Sequence, residues 1–392
     1  MKRSRICALG LFLLWSSLSW ADDTNTVIAT IGVGDTPAGI AVTPDSLFAY
    51  VANNNNAGIP NGDSVSVLNL THNTLQQTIH DTSFNEPYTV TINAAGTKAY
   101  VTNSNAATVT IIDIATNRVT GTIGGFDGPS GLVITPDGNH AYVNNYGGPI
   151  LGSGNGTTVR VVDLNANAIV GSAITVGQAP AALAITPDGA YVYVVSYVDG
   201  GLGTGTVSII KTSDNSVHAN AITGLSGPFA IAITPNGAYA YVTNFGSNNF
   251  SPVGTTVSVI NLSLNAIVDT ITLGIQPAGI AITPDGSFAY VSNYSTLYNG
   301  AGFTDLTSSQ GTVDIINIQT NTTISPIVGG IGFAPGAVAI SPNGQFAYVS
   351  NFSSNNLSVI ALPSTMYNIN RLTPHYTRQL DETKTKLKQA GL

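Results

Sequence analysis

The chain has 392 residues but only one cysteine, Cys7, and two tryptophans, Trp15 and Trp20, all within its first twenty positions. A single thiol closes no disulfide within the chain and supplies neither a C-x-x-C-H haem attachment nor a thiolate metal cage. Charged residues make up only 8% of the sequence, and Glu is scarcer still, at Glu86 and Glu382 alone. The histidines His72, His80, His140, His218 and His375 are scattered, and no H-E-x-x-H or G-x-S-x-G occurs. A paired-carboxylate glycosidase needs two acids at a defined separation, and no such pair stands out. The longest uncharged apolar run, Ile6 to Trp15, is too short to span a bilayer comfortably.

That run has the form of a targeting segment. Lys2, Arg3 and Arg5 make a basic start, and Ser19-Trp20-Ala21 offers small residues where a signal peptidase reads. Residues 1–21 are therefore read as a signal peptide, cleaved before Asp22. The product is expected to be exported, periplasmic or secreted to the cell surface, with no membrane span after cleavage. Charge is distributed unevenly over the remainder. Between residues 22 and 362 only Lys98, Arg118, Arg160 and Lys211 stand against eighteen acids, a net charge of −14. So acidic a surface repels phosphate backbones and excludes nucleic acid as a partner. Cationic ligands or basic protein faces match it better.

What fills the chain is a sevenfold repeat. A small-apolar strand leads into a Thr-Pro-Asp-Gly type turn at Thr43, Asn93, Thr135, Thr186, Thr234, Thr283 and Ser341. An Ala-Tyr-Val-x-Asn strand follows, its tyrosines at Tyr50, Tyr100, Tyr142, Tyr193, Tyr241, Tyr290 and Tyr348. A period of about fifty residues with several strands per unit is the mark of a β-propeller. In the second unit the four strands are predicted at Tyr88–Asn93, Lys98–Asn103, Val109–Ile114 and Val119–Ile123. The alternation Ile40-Ala41-Val42, repeated in other units, suits an inner strand whose blade tapers toward the axis. The seventh unit lacks a fourth strand of its own, and Val27–Gly34 matches the missing pattern. The fold class is thus all-β: a seven-bladed propeller of four-stranded blades over residues 22–362, closed by the N-terminal strand completing the last blade. Residues 363–392 form a basic tail, with a short helix predicted over Pro374–Lys388; a frayed end is the default for a terminus.

The motifs PAGIAVTPD…AYVAN, AYVTN with VTIIDI, PAGIAITPDGSFAYVSN and AYVTN with VSVINL resemble the YVTN-type β-propeller repeat family across nearly all of residues 27–362. Two blades depart from the pattern, at Ser196 in place of Asn and at the turn Asn93-Ala94-Ala95-Gly96. The resemblance implies an exported or cell-surface propeller, often with no known reaction. Sugar-lactone hydrolases and lyases on similar propellers hold a metal with acids and His near the axis, and here Glu86 is the nearest counterpart. Quinone-cofactor propellers are Trp-rich, which this chain after residue 21 is not.

Insertions fall in one connection only, between strands two and three, at 54–64, 146–157, 197–205, 245–255 and 294–311. These loops emerge on one face, and binding residues often sit on such loops over a rigid scaffold. The residue after the motif Asn is aromatic in five blades: Tyr146, Tyr197, Phe245, Tyr294 and Phe352. Together with Tyr88 and Phe229, which replace Ala after a blade-entry Pro, they are the candidate binding residues. They either ring one mouth of the channel or cap the core of their own blade. The motif asparagines (Asn53, Asn103, Asn145, Asn244, Asn293, Asn351) either satisfy strand ends or ring that mouth with amides. Arg160 and Asp314 replace Ser or Thr in strand three and are expected to face solvent. Asp63, Asp199 and Asp305 lie in the long loops without the spacing of a calcium loop. No catalytic residue, metal site or cofactor is assigned. The expected function is a monomeric, non-catalytic scaffold binding a protein or glycan through the long-loop face. The alternatives are a metal-assisted lactonase or lyase and a structural protein of the envelope.

Overall fold

The computed structural model describes residues 25–55, 63–148, 154–197, 204–246, 253–294 and 310–363; the expected signal peptide and the predicted tail helix lie outside them. All regular structure among the described residues is β. Blade one comprises Pro37–Val42, Phe48–Asn53, Ser64–Asn69 and Thr74–Ile79, paired antiparallel in that order from inside out. Blades two to six repeat the order from inner strands Pro87–Ile92, Pro129–Ile134, Pro180–Ile185, Pro228–Ile233 and Pro277–Ile282. In blade four the outer strand is broken into Ser216–Val217 and Ile222–Ser226, both on the third strand. Blade seven runs Pro335–Ile340, Phe346–Asn351 and Asn356–Ala361, and Thr26–Gly32 is its outer strand. The expected N-terminal closure is therefore present.

The core lies between blades. Strands two and three are buried on both faces, so they read as near-continuous apolar runs, whereas outer strands alternate exposed and covered residues. Each interface is one apolar wedge. Tyr50, Val65 and Val67 of blade one meet Ala99, Val101 and Ile112 of blade two. On the other side Ala49, Val51 and Leu68 meet Tyr348, Leu357 and Val359 of blade seven. Fully burying a Val, Leu or Ile contributes about 1.5–3 kcal/mol, and each wedge holds several.

Polar bonds hold the wedges at both ends. The hydroxyl of the motif tyrosine reaches into the next blade and donates to an Asn in the turn between its third and fourth strands. The pairs are Tyr50 with Asn117, Tyr142 with Asn215 (2.6 Å), Tyr193 with Asn265 (2.8 Å) and Tyr241 with Asn321 (2.7 Å). These asparagines take positive φ, a conformation Asn tolerates because its short polar side chain bonds locally. At the seam Tyr290 donates to Asn25 Oδ1 at 2.6 Å, and Asn25 has φ 61° immediately before the N-terminal strand. One residue thus reproduces, for the strand borrowed from the other end of the chain, the contact made by the internal turns.

Nearer the axis every inner strand carries a register irregularity after its entry proline, as between Pro37 and Ile40 or Pro335 and Val338. In five blades a side chain of strand two fills the gap. Ser350 Oγ accepts from Ala337 N–H (2.9 Å) and donates to the Ala38 carbonyl of blade one (2.8 Å). Thr102, Thr243 and Ser292 link their blades to the next in the same way, and Asn144 does so with its amide. Ala52 and Val195 occupy this position in blades one and four and make no such bond.

The residue before each entry proline is left-handed: Thr36, Glu86, Gly128, Ala179, Gly227, Gln276 and Ala334, with φ between 46° and 56°. Its carbonyl accepts the N–H of the residue after strand two, as in Tyr146 to Gly128 (3.0 Å) and Tyr294 to Gln276 (2.9 Å). This bond ties each blade entrance to the root of its long loop.

Two outcomes follow. Asn25→Ala or Tyr290→Phe is expected to lower stability by about 1 kcal/mol in urea unfolding, the worth of one hydrogen bond, while deletion of Thr26–Gly32 exposes an unpaired strand edge and leads to aggregation. Burial also raises the phenols of Tyr50, Tyr193, Tyr241 and Tyr348 to about 12. Their folded values lie above the unfolded value of about 10. The folded state therefore holds these protons more tightly. The stability linked to them is complete below pH ~10 and is lost as pH rises from ~10 to ~12, measurable by tyrosinate absorbance alongside alkaline unfolding.

Candidate binding site at the channel mouth

The strand order sets two unlike faces. Inner strands begin, second strands end and the linkers between blades cross on one face, which is also the face of the long loops. The other carries the Thr-Pro-Asp turns and the turns between strands three and four. On that hairpin face the aspartates do backbone work. Asp45 Oδ1 accepts from Thr43 Oγ1 and Leu47 N–H. In the third blade the Thr135 hydroxyl, followed by Asn139, holds the Asp137 carboxyl down to about 2. A cleft of about 400 Å³ opens there between blades one and two, lined by Pro44, Asp45, Phe48, Tyr50, Gln76 and Gly96 among others.

The candidate residues gather on the long-loop face. Tyr146 and Tyr197 are buried, each 3% exposed, and serve as caps. Tyr146 packs on Ala179 with Tyr88 and Ala181 against it, and Tyr197 Oη donates to the Gly246 carbonyl of blade five at 3.0 Å. Both therefore seal interfaces between blades, rather than the core of one blade. Four of the other five stand half-buried at the mouth: Tyr88, Phe229, Phe245 and Tyr294. The Phe229 and Phe245 centroids are 5.4 Å apart, and Phe245 meets Tyr294 edge-on at 5.9 Å. Burial pushes the Tyr88 phenol up, and the nearby Tyr146 and Tyr294 phenols push it further. Burial alone raises Tyr294 to about 12. Phe229 and Phe245 of blade five meet Tyr294 of blade six, while Tyr88 of blade two packs beside Tyr146, so the aromatics pack in two groups instead of a ring. Phe352, half-buried in blade seven, makes no ring contact among the described residues.

The motif asparagines are not an amide ring. Their side chains turn into strand three: Asn53 Nδ2 donates to Ser64 and Ser66 Oγ, both at 3.0 Å, and Asn244 Nδ2 to Thr256 and Ser258, both at 2.9 Å. The linker lies directly over them; a Cβ at Gly34 would come within 2.5 Å of the Asn53 carboxamide. Asp314, expected to face solvent, also lies under its linker. It is 6% exposed, and its Oδ2 accepts from Gly274 N–H (2.7 Å) and Asn293 Nδ2 (2.9 Å), so the expectation of solvent exposure fails there. Arg160 is half-buried, and its Nε meets no acceptor.

Glu86, the sole glutamate of the propeller, sits in a left-handed entry position with Oε2 accepting from Ser104 Oγ at 3.2 Å. Its own N–H donates to Asp63 Oδ1 at 2.8 Å. No group of three or more His, Cys, Asp or Glu able to hold a metal occurs among the described residues. Asp199 and Asp305 lie outside them. The feature sequence reasoning missed is the left-handed residue before each proline. Its signal was present, as X-Pro at every blade entry, but X-Pro alone favours extended backbone.

Comparison with known proteins agrees with the fold. The family model "Lactonase, 7-bladed beta-propeller" matches residues 201–367. Seven-bladed beta-propeller protein Rv1057 of Mycobacterium tuberculosis is 33% identical over 145 residues, which are 36% of this chain and 33% of that protein. A PE-PGRS family protein of the same organism is 48% identical over 59 residues, 15% of this chain and 13% of that one. The chain is a seven-bladed β-propeller. The matches span a third or less of these curated relatives. Among solved structures, a chain of Kuenenia stuttgartiensis hydrazine synthase superposes with a TM-score of 0.69 at 22% identity, over 84% of this chain and 96% of that one. At that identity the likeness concerns the fold alone.

The capping and mouth roles separate by mutation. Tyr146→Ala or Tyr197→Ala should cost about 3–5 kcal/mol, the range for truncating a buried aromatic, whereas Phe229→Ala and Tyr294→Ala should cost less than about 2 kcal/mol in the same urea titrations.

Proposed function

We propose that this protein is an exported, non-catalytic β-propeller that binds a protein or glycan partner through its long-loop face. The observation that carries the reading is the half-buried aromatic group of Tyr88, Phe229, Phe245 and Tyr294 at the channel mouth. It lies on the face from which every long loop emerges. Among the described residues, much of the other aromatic and polar inventory is committed to structure. The motif tyrosines latch blades, the motif asparagines clasp strand three, and the turn aspartates hold hairpins. The four mouth aromatics lie outside these roles, and aromatics with a polar surround are favoured binding anchors.

A second reading, a lactonase, is favoured by the family model over residues 201–367. It would use Glu86, the one glutamate near the axis, with a metal. Glu86 is engaged with Ser104 and stands in no group of three metal-ligating side chains among the described residues, so the binding reading is preferred.

Deleting residues 295–309, or substituting Tyr294→Ala, is expected to abolish capture of a partner by the immobilised protein while the cooperative unfolding transition is retained. Capture that survives both changes refutes the binding reading. Hydrolysis of aldonolactones that is lost on adding a chelator and in Glu86→Gln establishes the lactonase reading in its place.

A further inference from the structure

The charges of the two faces differ in kind, and this bears on what the mouth binds. All four basic side chains between residues 22 and 362 are described. Lys98 opens the second strand of blade two, Arg118 opens its fourth, and Lys211 ends the third strand of blade four. Those three positions are all on the hairpin face. Arg160 is the third residue of strand three in blade three, near its long-loop end, and is half-buried. Among the described residues it is the one basic side chain of the long-loop half. The long-loop face carries Asp35, Asp63, Asp81, Glu86 and Asp127, in the linkers and loop ends of blades one to three.

Two of these acids are rooted in the backbone next to these aromatics. Glu86 is two residues from Tyr88, and the Asp127 carbonyl accepts the N–H of Gly147, next to Tyr146. Asp63 is held against the Glu86 backbone. Asp81 and Asp127 are exposed. An aromatic surface beside carboxylates attracts a cation twice: through the ring quadrupole and through Coulomb attraction. A neutral sugar would use the rings but gain nothing from the acids, and an anionic glycan would be repelled by them.

We propose that the mouth receives a basic side chain of a protein partner, an arginine stacked on the Tyr88–Tyr294–Phe245 surface with its charge toward Glu86 and Asp127. Arginine suits the site better than lysine. Its planar guanidinium stacks on aromatic faces and is more weakly hydrated than an ammonium. The proposal rests on the reading of the long-loop face as a binding face, and it selects the protein over the glycan as partner.

The test uses an acetylated, amidated peptide with two central arginines between glycines, and the same peptide with citrulline, the neutral isostere, in their place. Binding to the full-length mature protein is followed by two-dimensional NMR and calorimetry. The arginine peptide is expected to bind at least tenfold more tightly than the citrulline peptide. That affinity should weaken with added salt, and should fall about tenfold in Tyr294→Ala and severalfold in Glu86→Gln. If Tyr294→Ala does not fold, Glu86→Gln and the salt dependence of the unaltered protein decide the matter. Equal binding of the two peptides overturns the proposal, as does choline binding as tightly as the arginine peptide, which would assign the mouth to a small free cation. A neutral oligosaccharide that binds, is lost in Tyr294→Ala and is not displaced by the arginine peptide overturns the cation reading while the binding face stands. Failure of peptide, choline and oligosaccharide alike sinks the arginine proposal together with the binding-face reading on which it rests.

Discussion

The structure depends on how each inner strand leaves its neighbour near the axis. Seven blades converge there, and inner and second strands cannot stay in register up to the entry proline. The ladder shifts, and the N–H it frees is met in five blades by a side chain of strand two, as Ser350 meets Ala337. The same side chain then donates to the next blade. A buried amide left without a partner costs about 1–3 kcal/mol, so this one hydroxyl removes a penalty within its blade and fixes the spacing to the following one. Blades one and four, with Ala52 and Val195, lack it and lean on their apolar wedges instead.

That departure from the ladder is also what makes a mouth. The residue after each entry proline lies in the irregular stretch, so it is released from strict pairing. In five blades it is Ala, Ser or Gly. In blades two and five it is Tyr88 and Phe229, and these meet aromatics rooted at the ends of strand two. The left-handed residue before the proline binds that same root through its carbonyl. Structural constraint and candidate site therefore share their residues, and loop length varies without moving the aromatics that anchor it.

The cooperative character of the ring follows from its latches. Tyrosine to turn-asparagine bonds run in one direction around the molecule, each from one blade to the next, and the last described one reaches Asn25. The outer strand of blade seven is thereby held by backbone pairing with Asn356–Ala361 and by a contact from blade six. Closure in this manner covers the open edge that the third strand of blade seven would otherwise present to other chains.

Much of this was legible in the sequence. The sevenfold Tyr spacing, the turn motifs and the stray strand at Val27–Gly34 determined the fold class, the strand positions to within about a residue, and the closure, because burial on both faces leaves a periodic apolar record that a single chain displays openly. The sequence also placed the long loops and the aromatics on one face, since strand order alone assigns every connection to a side. It did not determine which aromatics cap and which remain available. Tyr146 and Phe245 occupy the same motif position, and only packing across blades buries one and leaves the other half-exposed. Nor did it reveal that Asp314 lies beneath a linker, or that the motif asparagines turn into strand three. Those outcomes depend on residues far apart in the chain being brought together by ring closure, and contacts of that kind leave no period in the sequence to read.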